Sequence, residues 1–144
     1  MAWIDRQKLD DLELIEEGTD IALDFTRFHS KSGEGVVPVA VQDVATGAVL
    51  LIAHVNDAAL QHTLKTRIAT CWSLSRDELW IKGATSGNTL EILDILVNCE
   101  QNSLLYRVKL AHGGACHTKD GDEFRHGCYY RRIDEDWLEK LSSN

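Results

Sequence analysis

Val36-Val37-Pro38-Val39-Ala40-Val41, then Asp43 to Gly47, then Ala48 to His54, is the stretch on which the fold turns. Two short runs rich in β-branched residues flank a segment with turn chemistry, which reads as a β-hairpin. Pro38 lacks a backbone N–H, so the first strand is expected at an edge or with an irregular start. Downstream, strand-like runs recur at Ala69–Ser73, Glu78–Lys82, Thr89–Val97, Leu104–Leu110 and Cys128–Arg132. Helical spacing is seen at three places: Trp3 to Glu17 with Gly18 as a stop, Ala58 to Lys65 behind an Asn56 cap, and Asp134 to Leu141. Residues 19–35 give no periodic pattern beyond a loop at Ser30–Gly35. Strands outnumber helices and do not alternate with them, so the class is α+β.

The 144 residues fit one domain. A formal net charge of -8 argues against a surface that tracks nucleic-acid phosphates. No apolar run has the length of a membrane span, and the first residues lack the basic and apolar segments of a signal peptide. A cytoplasmic protein with no membrane or nucleic-acid partner is expected.

Four cysteines stand at 71, 99, 116 and 128. In the cytoplasm thiols stay reduced, and scattered cysteines point to metal binding or catalysis rather than disulfides. Cys99, Cys116 and Cys128 lie at predicted strand ends beside loops, where sites are commonly built. Cys71 lies inside a strand and reads as buried and inert. Spacing alone leaves open whether the other three are zinc ligands or simply small buried residues, because no CxxC pair is present. His117, next to Cys116, is a candidate general acid–base, the alternative being a loop histidine bonded to backbone. Lys82-Gly83-Ala84-Thr85-Ser86-Gly87 could offer N–H groups, hydroxyls and one positive charge to a phosphate, or be a plain turn.

Taken in order, these segments resemble phosphoribosyl-AMP cyclohydrolase over residues 36–131. The resemblance runs through Val37-Pro38-Val39, Val41-Gln42-Asp43, the helix around Asn56 to Leu64, and Trp72-Ser73 with Ser75-Arg76. It continues through Leu79 to Gly87, Gly114-Ala115-Cys116-His117-Thr118 and Cys128-Tyr129. On that basis the chain is expected to be a single cyclohydrolase-like domain, residues 1–144, with a helical N-terminal extension over residues 1–35. The resemblance implies a dimeric β-rich roll or pseudobarrel, to which the sequence pattern adds one internal helix and a helix at each end. It implies zinc shared across the dimer, Cys99 from one chain facing Cys116 and Cys128 of the other. It implies hydrolysis of the N1–C6 bond of the adenine ring in phosphoribosyl-AMP during histidine biosynthesis. His117 would handle protons near the metal water, and Lys82, Thr85, Ser86, Gly87 and Arg76 would contact the nucleotide-like substrate.

Several positions depart from the family pattern. Three aspartates around the first cysteine normally hold magnesium, and here they read Asn98, Glu100 and Asn102. That predicts a weakened second metal site and makes a Mg2+ requirement doubtful. Ala84 stands where glutamate is usual and Leu74 where an arginine commonly follows Trp-Ser. Eleven residues separate Cys116 from Cys128, more than is typical, and the charged stretch Lys119–His126 lies among them. These changes cluster at substrate and magnesium positions while the zinc cysteines remain. A paralogue acting on another amidine-containing ring, or a non-catalytic zinc-binding dimer, are the alternative readings.

Overall fold

A computed structural model describes residues 4–9 and 11–141. A 3-10 turn at Arg6–Lys8 precedes helix α1 (Leu12–Glu17), and strands β1 (Phe28–His29), β2 (Gly35–Asp43) and β3 (Val49–Val55) follow. Helix α2 (Asp57–Thr66) leads to β4 (Thr70–Ser73), β5 (Glu78–Ile81), β6 (Leu90–Val97) and β7 (Leu104–Leu110). Two hairpins follow, β8 (Lys119–Asp120) with β9 (Glu123–Phe124), and β10 (Arg131–Asp134) with β11 (Trp137–Lys140).

β2 organises the molecule. Val37, Val39 and Val41 alternate inward and are fully buried, as period two requires. The strand pairs antiparallel with β3 and parallel with β7, so it is interior, and of the two placements offered by Pro38 the edge does not hold. The β7 ladder starts only at Val39, one residue past Pro38, so the proline need donate no N–H there. The expected turn between β2 and β3 forms: Asp43 accepts from the Ala45 N–H and the Thr46 hydroxyl, and Gly47 takes φ 77°. β6 lies antiparallel to β7, and β1 pairs with the start of β2, giving a mixed five-stranded sheet.

The core lies between this sheet, α2 and β4. Ala59, Leu60, Leu90, Tyr106 and Val108 fill it with the β2 valines. α2 forms as expected, its first turn capped by the Asn56 side chain, which accepts from the Ala59 N–H at 2.8 Å.

Three expectations are corrected. Among the described residues the sheet does not close into a barrel; the isolated bridge Ile68↔Glu91 ties the approach to β4 onto the edge of β6. The expected helix at Asp134–Leu141 is the β10–β11 hairpin, in which Ile133 faces Leu138. The expected helix from Trp3, itself outside the described residues, to Glu17 is broken in two. Asp5 accepts from the Gln7 N–H at 3.0 Å, and Asp11 accepts from the Glu13 N–H at 3.0 Å, so each aspartate starts a turn of its own.

Candidate metal centre

Cys116 and Cys128 meet because the charged stretch between them folds back on itself. Gly121 takes φ 65° at the tip of the β8–β9 hairpin. On its stem, the Ala115 and Cys116 N–H groups donate to the carbonyls of His126 and Arg125, at 3.0 and 3.1 Å. An added Cβ on Gly114 would stand 2.6 Å from the carbonyl oxygens of Phe124 and Arg125, so only glycine permits this approach. At the far end the Cys128 N–H donates to the Leu50 carbonyl at 2.7 Å, fixing the segment to β3. His126, two residues earlier, pairs with Asp43 at 2.8 Å. The stretch Lys119–His126 is therefore a structural arm that brings two cysteines together.

The two thiols are unequal. Burial raises the pKa of Cys116, but the Thr118 hydroxyl and N–H, the Cys128 thiol and the Lys82 charge outweigh burial and leave it lowered. The Thr118 hydroxyl oxygen lies 2.9 Å from the Cys116 sulfur. Cys128 is pushed up to about 11, first by burial and then by the neighbouring Cys116 thiolate, with Lys82 pulling the other way. Lys82 is itself buried, and its ammonium stands 5.6 Å from the centre of the Trp80 ring. Its charge also reaches Cys71, whose thiol burial nevertheless pushes up to about 12.

Beyond Gly83 the turn after Lys82 faces solvent. Thr85, Ser86 and Gly87 are exposed, and Gly87 adjoins the His112 ring. His117 is exposed beside buried Cys116. Arg76 sits at the opposite end of β5 from Lys82, 4.0 Å from Glu78, so the fold does not bring those two cations together. His112, which carries no sequence context of its own, joins the Gly87 edge of the loop through the fold alone.

Cys99 is exposed on the turn between β6 and β7. Among the described residues no three histidine, cysteine or carboxylate side chains of one chain meet as a metal-binding group. Cys116 and Cys128 supply two of the soft donors that zinc prefers, so the pair fits part of a zinc site. The residues around Cys99 do not fit magnesium. The Asn98 amide oxygen accepts from the N–H groups of Asn102 and Ser103, both at 2.9 Å. Its amide nitrogen donates to the Asn102 side-chain oxygen at 2.6 Å, and Asn102 donates to Glu100 at 3.0 Å. The oxygens a hard cation would need are already engaged, and one carboxylate remains among the three positions.

The family model for phosphoribosyl-AMP cyclohydrolase matches residues 51–130. The chain belongs to the phosphoribosyl-AMP cyclohydrolase family. Its members are hydrolases acting on a cyclic C–N bond. The phosphoribosyl-AMP cyclohydrolase of Chloroherpeton thalassium is 43% identical over 121 residues, covering 83% of this chain and 80% of that protein. That of Methanothermobacter thermautotrophicus is 38% identical over 125 residues, 87% of this chain and 86% of the relative. A histidine biosynthesis bifunctional protein HisIE of Deinococcus radiodurans is 46% identical over 102 residues, 71% of this chain and 44% of that protein. The matched span carries the Cys116–Cys128 arm, Lys82 and the Cys99 turn on one cyclohydrolase framework. No helix among the described residues is long and apolar enough to cross a membrane.

Proposed function

We propose that the protein hydrolyses phosphoribosyl-AMP in histidine biosynthesis, using zinc held by Cys116 and Cys128 of one chain and Cys99 of a second copy. The observation that carries the zinc reading is the Cys116–Cys128 pair, built by a dedicated hairpin beside the buried Lys82 cation. A thiolate held below its ordinary pKa is the form that ligates metal. Zinc bound there would lower the pKa of its water to about 7 and leave one position for it. Water activated there would add its oxygen to C6 of the adenine ring as the N1–C6 bond opened, and N1 would need a proton. His117 is the group beside Cys116 that would carry that proton.

Exposed apolar residues support a homodimer. Leu93 and Leu96 of β6 are 46% and 44% exposed, and the strand runs directly toward Cys99. A second copy seated on Leu93 and Leu96 would lie beside Cys99. Thr85, Ser86 and Gly87 would meet the substrate phosphate or ribose from the exposed turn. Lys82, buried beside the thiols, would act on them rather than on a phosphate. The reaction would run without magnesium, since Asn98, Glu100 and Asn102 bond to one another instead.

Leu74 and Ala84, which replace an arginine and a glutamate, favour a second reading in which the same chemistry acts on a different amidine-containing ring. Purified zinc-loaded protein tested on phosphoribosyl-AMP separates the two. Turnover that is lost in Cys116→Ala along with the zinc supports the proposal, as does rescue of a histidine auxotroph lacking the cyclohydrolase. No turnover and no rescue would sink the substrate assignment. Undiminished zinc in Cys116→Ala would remove that cysteine from the ligand set.

A further inference from the structure

The turn that carries Cys99 is gripped from outside by the N-terminal segment, and the grip falls on the two residues that follow the cysteine. Gln101 has φ 53°, a left-handed conformation uncommon for a side chain of this kind, and its side chain is buried. Its amide oxygen accepts from the Ala22 N–H at 2.7 Å. Its amide nitrogen donates to the carbonyls of Ile15 at 3.0 Å and Asp20 at 3.1 Å. Its own carbonyl accepts from the Asp24 N–H at 2.9 Å. One residue earlier, the Glu100 carbonyl accepts from the Arg6 guanidinium at 2.8 Å, which also donates to the Ala22 carbonyl at 3.0 Å.

We propose that Gln101 is a positioning residue for Cys99, clamping the metal-ligand turn onto a brace formed by residues 4–9 and 11–24. The inference rests on the reading of Cys99 as a zinc ligand. A buried amide whose oxygen and nitrogen are all engaged is costly to disturb, because each lost bond strands a partner group away from water. Three of its partners belong to one short segment, so the amide reads the fold of that segment and passes it to the turn. Cys99 and the brace also share a cleft of about 340 Å3, lined by Ile15, Ile21, Leu23, Leu60 and Val97. A shift of the brace therefore moves one wall of the space beside Cys99 and tilts the turn that aims its sulfur. Residues that orient a ligand from behind typically influence metal affinity by about 10- to 100-fold.

The test compares the wild type with Gln101→Met, Arg6→Leu and Cys99→Ser in the full-length protein. Zinc affinity is measured by competition with a chromophoric chelator, and the cobalt(II)-substituted protein reports ligand geometry through its visible bands. Gln101→Met is expected to weaken zinc roughly tenfold and to alter the cobalt bands. Arg6→Leu, at a half-buried position, is expected to do the same more weakly. Wild-type zinc affinity and cobalt bands in both variants, whatever their melting temperatures, would overturn the proposal. Should Gln101→Met fail to fold, Arg6→Leu decides on the same readouts. An unchanged affinity in Cys99→Ser would instead overturn the ligand assignment itself.

Discussion

His126 Nε2 lies 2.8 Å from Asp43 Oδ2, joining the arm that carries Cys128 to the turn between β2 and β3. Asp43 is only 4% exposed and accepts from the Ala45 N–H and the Thr46 hydroxyl as well. Burial alone would raise its pKa, but His126 and those two donors outweigh it and hold the carboxyl below the ordinary 3.8. A group depressed in this way stabilises the fold above its unfolded pKa, and the contribution disappears as pH falls through the lowered folded value. Asp43→Ala is expected to cost about 1–3 kcal/mol at neutral pH, since it strands buried donors. Denaturant titrations from neutral pH to below about pH 4 should find the gap between wild type and Asp43→Ala narrowing only at the acid end.

The cysteines should differ sharply in reactivity. Cys71 is buried and its thiol is pushed up to about 12, so almost none is thiolate at neutral pH. In metal-free protein, timed iodoacetamide labelling with peptide mass mapping is expected to leave Cys71 unmodified until denaturant is added. Cys99, which is exposed, should be modified under native conditions. Native labelling of Cys71 at a rate like that of Cys99 would contradict its placement.

Local patterns made part of this structure legible and left the rest to pairing across the chain. β7 spans Leu104–Leu110, the range its apolar pattern predicts, and Asn56 caps α2 through the short polar side chain that marks such positions. The β10–β11 hairpin was hidden because Ile133, Trp137 and Leu141 are spaced four apart, which suits a helix as well as a strand. What decides it is the cross-strand register, Ile133 against Leu138, which local spacing does not encode. The same holds at the site. The cysteines themselves were readable, yet Asp43 and His126 stand 83 residues apart and only the fold unites them. By sequence Lys82 reads as a phosphate contact or as part of a plain turn, and its burial beside the thiols follows from packing that no motif expresses.

The amide network around Cys99 predicts a specific response to magnesium. In Asn98→Asp the side chain can no longer donate to the Asn102 oxygen, and two acceptors would face each other at a separation of 2.6 Å in the present structure. Without a cation the variant is expected to lose about 1–2 kcal/mol of stability. Magnesium, which favours carboxylate oxygen, should restore part of it. Thermal melts with and without Mg2+ provide the check: wild type unmoved, Asn98→Asp lower and raised by the ion. A wild-type melting temperature that climbs with Mg2+ would show that the native turn binds the cation after all.

Gly114 and Gly127 bracket the arm and make its geometry testable without touching a cysteine. At Gly114 a Cβ would meet the Phe124 and Arg125 carbonyl oxygens, both at 2.6 Å, and both are backbone atoms that cannot swing aside. At Gly127 the nearest atoms, the Leu50 Cα and carbonyl oxygen, are 3.1 Å away, a contact that a few tenths of an ångström would relieve. Gly114→Ala should therefore cost more, about 1–3 kcal/mol, and Gly127→Ala less. Because the Gly114 clash pushes apart the two stretches of the arm that lead to Cys116 and Cys128, Gly114→Ala should also lose zinc out of proportion to its loss of stability. Chemical denaturation ranks the two costs, and zinc content after dialysis reads the separation of the pair. Equal zinc retention in Gly114→Ala and wild type would mean that the thiols meet without the close approach of Gly114 to Phe124 and Arg125.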